Sequence, residues 1–164
     1  DRLHPDYYVH DMMSDLLGNG NSSRLVRHLV QEQQVFSNVD AYIAGSIEAG
    51  TFHLTGRPVP GVSLEEAEAA IWKELEAMKK ESTREEELEK VKNRYESEQI
   101  FGNINYLNVA TNLAFFEPIG QAEDINGEVG KYRSVTSEDI LRVAGETFVR
   151  ENASVLYYRK NTSV

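Results

Sequence analysis

The sequence predicts an α+β fold in which an antiparallel or mixed sheet is covered by helices on one face. Three observations carry this expectation. Residues 35–47 and 51–57 alternate apolar and polar side chains, as half-buried strands do, and only Glu48-Ala49-Gly50 separates them. Longer stretches on either side repeat apolar residues every three to four positions, as helices with one buried face do. The elements also run helix, helix, hairpin, helices and closing strand, without the strand–helix alternation of a parallel sheet.

The opening helix carries Met12, Met13, Leu16 and Leu17 at helical spacing after Tyr8 and Val9, with Pro5 placed in its first turn. Gly18-Asn19-Gly20 stops it, since both residue types tolerate the left-handed conformation common at helix ends. Asn21 or Ser22 is expected to cap a second helix, with Leu25, Val26, Leu29 and Val30 on one face. In the strand that follows, Val35, Val39, Ala41, Ile43 and Ile47 point one way, and Asn38, Asp40 and Ser46 the other. Its hairpin partner turns Phe52 and Leu54 inward and His53 and Thr55 outward, until Pro58, Pro60 and Gly61 end it.

Three later helix starts show capping-box spacing: Ser63 with Glu66, Thr83 with Glu86, and Thr136 with Asp139. Val135 and Ile140 add a hydrophobic staple to the last. Leu64, Ala67, Ile71, Leu75 and Met78 form one stripe, with Trp72 beside it as a core residue. The helix from Thr83 reads as long, with a kink at Gly102. Its second half (Ile104, Leu107, Ala110, Leu113, Ala114) is apolar around much of its circumference and is expected to be the more deeply buried half. A short helix is expected over residues 124–132. A final helix carries Ile140, Val143, Ala144 and Phe148, and residues 153–158 read as a closing strand.

The chain has 164 residues, 40% hydrophobic and 27% charged, a size and composition that suit one globular domain without disulfides. It has no cysteine, which excludes thiolate metal sites. A net charge of −10 with no basic run argues against nucleic-acid binding. No apolar run approaches the roughly 20 residues of a membrane span, and no signal peptide opens the sequence. A start at Asp1 suggests a stretch of a longer protein.

Few residues offer chemistry. The Gly18–Ser23 loop follows a helix rather than a strand and lacks the Lys of a phosphate-binding loop, so it reads as a plain connection. His28 and Glu32 lie four apart and read as a surface ion pair, since two ligands are too few for zinc. His10 reads as a helix residue with a local hydrogen bond. Ser22 and Ser23 form no nucleophile elbow. Glu85-Glu86-Glu87 reads as an acidic first turn favoured by the helix dipole.

The run Leu16-Leu17-Gly18-Asn19-Gly20-Asn21-Ser22-Ser23-Arg24-Leu25 resembles a segment in the C-terminal, non-zinc domain of the pitrilysin/insulinase-type zinc peptidases, of which the mitochondrial processing peptidases are familiar members. The downstream hairpin, long helix and final helix follow in that family's order. The resemblance covers essentially the whole chain. It implies the LuxS/processing-peptidase-like metallohydrolase fold, whose domain begins with one more strand that would precede Asp1. It implies that residues 1–164 are one domain, with the zinc and its His-x-x-Glu-His motif in an N-terminal domain of the same protein. This domain would then hold no catalytic and no metal residue, would be inactive alone, and would help enclose an extended peptide. Its partners would be that catalytic domain and a homologous subunit. Members usually contribute an Arg and a Tyr that hold substrate, and an ungapped alignment puts Val30 and Ser37 at those positions. Val30 cannot supply a guanidinium's paired donors, and Ser37 lacks the phenol. Two expectations follow: a peptidase whose clamp is borrowed from a partner, or a structural subunit that keeps the fold and never cuts.

Overall fold

The computed structural model describes residues 1–159. Helix α1 spans Tyr7–Gly18 and buries Val9, Met12, Met13, Leu16 and Leu17. Its N-cap is Asp6, so Pro5 lies just ahead of the helix and not in its first turn. A helical turn from Arg24 continues as a π-helical segment, Val26–Glu32. Leu25 and Leu29 are fully buried in it, with Val26 and Val30 packed at the core margin. Neither Asn21 nor Ser22 caps this helix. Ser23 turns back instead, its hydroxyl donating to the Gly20 carbonyl at 2.7 Å.

Strands β1 (Phe36–Ala44) and β2 (Thr51–Pro58) pair antiparallel, with Ala44 opposite Thr51. β1 is shorter than the alternation suggested, and Ile47, expected inward, is exposed beyond its end. A bulge between Phe36 and Asn38 shifts the register, so Phe36 and Val39 both face the core, although they are three positions apart. Phe36 fits because Gly56, paired with Val39 on β2, has no side chain: a Cβ there would sit 2.6 Å from the Phe36 ring.

Helix α2 (Leu64–Met78) opens on a complete Ser63–Glu66 capping box and buries Ala67, Trp72, Leu75 and Met78. Helix α6 (Ser137–Thr147) opens on Thr136 and Asp139 in the same way, with Val135 and Ile140 buried at its base. Helix α3 (Glu85–Gly102) departs from the expected pattern. Its N-cap is Arg84, with no side-chain cap, because Thr83 is buried and accepts a hydrogen bond from Arg24.

The long helix is two helices. α3 ends at Gly102, residues 103–105 turn, and α4 (Tyr106–Phe116) restarts with the Asn105 side chain accepting the Leu107 N–H at 2.9 Å. The second half is not the better buried one, because α4 has no buried residue and rests mainly on the 3₁₀ segment Ala122–Gly127. The expected helix over 124–132 divides into that segment and α5 (Glu128–Ser134).

The expected closing strand is also absent. Residues 153–159 follow the 3₁₀ turn Arg150–Asn152 without joining a sheet; among the described residues the sheet is β1 and β2 alone. β-branched and aromatic residues form a strand only beside another strand. Here side chains tether the segment to α2: Tyr157 donates to Glu68, Arg159 donates to Glu65 at 2.9 Å, and the Arg150 guanidinium stacks 4.5 Å over Trp72. The described core joins α1, the first π-helical residues, both strands, α2, the first half of α3, α5 and α6. No helix among the described residues is long and apolar enough to cross a membrane.

Candidate functional site

The stretch from α1 to β1 is built by close approach. Gly18, the last residue of α1, lies so near β1 that a Cβ on it would sit 2.1 Å from the Ala41 nitrogen. Its role is therefore contact; the left-handed turn belongs to Gly20, at φ +93°. The loop is then tied to α3. Arg94 donates to the Asn19 carbonyl at 3.0 Å, and Lys90 donates to the Ser22 hydroxyl at 2.9 Å. Arg24 grips Glu87 with two hydrogen bonds of 2.9 Å and reaches Thr83 at 3.3 Å. Burial raises the Glu87 carboxyl, but the Arg24 bonds and charge outweigh it and hold the carboxyl below its ordinary range. The polar groups of the Gly-rich run are thus spent on the fold. Glu85-Glu86-Glu87 forms an acidic first turn, with Glu87 pulled into that pair.

Three backbone irregularities follow within a dozen residues. In the π-helical segment Gln33 N–H donates to the His28 carbonyl, five residues back. Gln34 sits at φ +54°, rare for a residue with a side chain. The β1 bulge comes next, at Ser37. Such irregularities concentrate where a chain presents side chains for function. This stretch holds both positions that the resemblance ties to substrate. Val30 packs at the core margin, and Ser37 is exposed with its hydroxyl donating to the Arg57 carbonyl at 3.0 Å.

The histidines do not assemble a metal site. His28 does not pair with Glu32. Its Nδ1 lies 2.6 Å from Glu74 and its Nε2 accepts from Arg27 at 2.7 Å, so the hydrogen sits on Nδ1 and points at the carboxylate. Glu32 lies 3.7 Å from Arg27 instead. The contact is set by Glu74, buried on α2, which the spacing within one helix could not reveal. His10 bonds the Asp6 carbonyl at 2.8 Å, the local bond expected of it, and also meets the Thr147 hydroxyl of α6 at 2.9 Å. His53 meets Thr51 at 2.7 Å and stacks on Tyr42. His4 accepts the Asp6 N–H. Among the described residues no three His, Asp or Glu side chains converge to hold a metal ion, so zinc has no fitting site in them.

A buried charge network, not anticipated from sequence, joins the N-terminus to α5. Arg2 pairs with Glu128 and donates to the Tyr8 hydroxyl at 2.9 Å; Tyr8 donates to Glu128 at 2.8 Å, and Lys131 does so at 3.0 Å. Burial lowers the Arg2 guanidinium, but Tyr8 and Glu128 outweigh it and raise it overall. Beside this network Tyr132 donates to Asp11 and stacks on Tyr95. Burial raises the Asp11 carboxyl, which the Tyr132 hydrogen bond only partly offsets. A cleft of about 540 Å³ opens over Arg2, Tyr8, Lys131 and Arg142. Its cations are spoken for: Arg142 forms two bonds to Asp6, at 2.6 and 3.1 Å, and Arg2 and Lys131 share Glu128. The arrangement braces the N-terminus against α5 and α6. Nothing in sequence signals it, since Arg2 and Glu128 meet across 126 positions.

Comparison with known proteins decides the family. A family model described as the peptidase M16 inactive domain matches residues 1–95, more than half of the chain. The chain belongs to that family. A search of curated proteins finds no match. Among solved structures, a protease from Helicobacter pylori matches with a TM-score of 0.82 at 24% identity, over 90% of this chain and 36% of its own. The inactive peptidase domain of a protein assigned as a zinc protease from Bordetella parapertussis gives 0.81 at 21%, over 92% of this chain and 81% of its own. A peptidase M16 inactive domain from Pseudomonas fluorescens gives 0.70 at 15%, over 91% and 35%. At these identities the likeness is one of fold. This M16 inactive domain spans about a third of the Helicobacter chain.

Proposed function

We propose that this domain is the metal-free half of a zinc-dependent endopeptidase. It packs against a catalytic N-terminal domain and helps to enclose an extended peptide. The observation that carries the reading is the run of irregular backbone from Val26 to Asn38, on the stretch where the family resemblance places substrate contact. The surrounding fold anchors the start of that stretch through Gly18 on β1 and Arg24 on Glu87. Its own residues supply packing and shape, and no hydrolytic step is assigned to them.

A specific observation keeps a second reading in play. With Val30 at the core margin and Ser37 bonded to its own sheet, neither position offers a charged or phenolic hand to a substrate. Arg27, the neighbouring cation, is engaged by His28 and Glu32. Either a homologous subunit supplies the clamp, or the parent is a structural subunit that does not cut. Metal analysis and peptide cleavage by the full-length parent, alone and mixed with a homologous subunit, separate the two. Zinc bound, with cleavage only in the mixture, supports the borrowed clamp; no zinc and no cleavage in any pairing supports the structural subunit.

A further inference from the structure

Residues 100–116 contain no charged side chain, in a sequence that is 27% charged overall. They form the α3–α4 turn and all of α4, and most of their large side chains are exposed. Ile100 is 60% exposed, Phe101 70%, Ile104 72%, Tyr106 89% and Leu107 72%. Isolated exposed apolar residues are ordinary, but a contiguous set on one turn marks an interaction surface. A helix that is apolar around most of its circumference belongs in an interior. α4 has that composition, yet among the described residues it rests mainly on Ala122–Gly127 and has no buried residue. Beside α4 lies a groove of about 470 Å³, lined by Val109, Leu113, Ile125 and Val129, with Glu123 also in its wall.

We infer that the α3–α4 turn and α4 form the docking surface for the N-terminal partner domain. This rests on the function proposed above and names the surface that packing uses. The match covers 36% of the Helicobacter protease, so in a protein of that size a partner large enough to cover the surface lies in the same polypeptide. The charge pattern selects among occupants. Glu98, Glu117 and Glu123 are exposed around the uncharged patch. In a symmetric contact between two copies the same patch faces itself, setting these acids against one another. They also repel an anionic lipid surface. They suit a partner face with an apolar centre and a Lys/Arg rim.

The test is hydrogen exchange over residues 100–116, measured in the full-length parent and in the 164-residue domain. Exchange at least tenfold slower in the parent is expected. Leu107→Glu should abolish that difference while leaving the melting temperature of the isolated domain unchanged, because the side chain touches no core. Glu98→Lys with Glu117→Lys should weaken the protection. Equal exchange in parent and domain overturns the proposal, even if the parent cleaves peptides. Protection in the isolated domain that grows with its concentration also overturns it, by giving the surface to a second copy. Protection in a parent that never cleaves leaves the surface standing and removes only the peptidase reading.

Discussion

Replacing Gly18 with Ala tests the packing on which the organising stretch depends. The added Cβ would lie 2.1 Å from the Ala41 nitrogen, 2.8 Å from its Cα and 2.7 Å from its Cβ. Two of those atoms are backbone, so no rotamer change relieves the contact, and α1 must move off β1. Forcing a methyl into a filled interior costs about 1–3 kcal/mol, and more where backbone must shift. Against this, Ala is favoured over Gly in a helix by at most about 1 kcal/mol. The net is a loss of about 2 kcal/mol, or a fall in Tm of about 4–8 °C for a chain of this size. Urea denaturation followed by circular dichroism measures it. Gly145→Ala in α6 is the control, since a Cβ there meets nothing within 4 Å. It should gain about 0.5–1 kcal/mol. A Gly18→Ala protein as stable as the parent domain would refute the claim that this glycine exists for close approach.

Four further substitutions probe the charge pairs and the strained turn. Arg24→Met should cost about 3 kcal/mol by leaving Glu87 largely buried without its partner, whereas Glu87→Gln should cost less. Because the Glu87 carboxyl is held below its ordinary value, the stability it contributes is present above the ordinary range and is lost as pH falls through the lowered value. Glu87→Gln should therefore flatten the acid side of a plot of Tm against pH; an unchanged acid limb would show that the pair is not responsible. Asp11 runs in the opposite sense, since its raised carboxyl favours the protonated folded state and stability falls as pH rises from the ordinary range towards the raised value. Tyr132→Phe removes the donor to the ionised carboxylate and should cost about 1–2 kcal/mol at neutral pH. The loss should shrink in acid, and an equal loss at both pH values would contradict the assignment. Gln34→Gly should stabilise by about 0.5–1 kcal/mol, as relief of the left-handed strain outweighs the flexibility added to the unfolded chain; destabilisation in a urea titration would mean that the Gln34 side chain earns its place through contacts.

Local chemistry made parts of the fold legible in sequence. The α1 stripe, the hairpin around Gly50, the Ser63 and Thr136 capping boxes and the core position of Trp72 all depend on residues within a few positions of one another. What sequence concealed depends on partners elsewhere. Thr83 has capping spacing but is taken by Arg24, 59 positions away. His28 matches Glu32 in spacing but bonds Glu74. Residues 153–158 have strand composition but no strand beside them among the described residues. α4 is the most instructive case. Its apolarity pointed to deep burial, yet among the described residues nothing buries it. At the candidate site the sequence marked the positions Val30 and Ser37, but not the π-helical turn or the bulge in which they lie, because neither has a compositional signature.

The central claim is that this domain completes a peptidase without cutting. Zinc content and cleavage of one unstructured peptide, measured side by side for the 164-residue domain and the full-length parent, test it most directly. The account predicts no zinc-dependent cleavage by the domain, and zinc with cleavage in the parent, alone or joined by a homologous subunit. Zinc-dependent cleavage by the isolated domain, or a parent that neither binds zinc nor cleaves in any pairing, would contradict it.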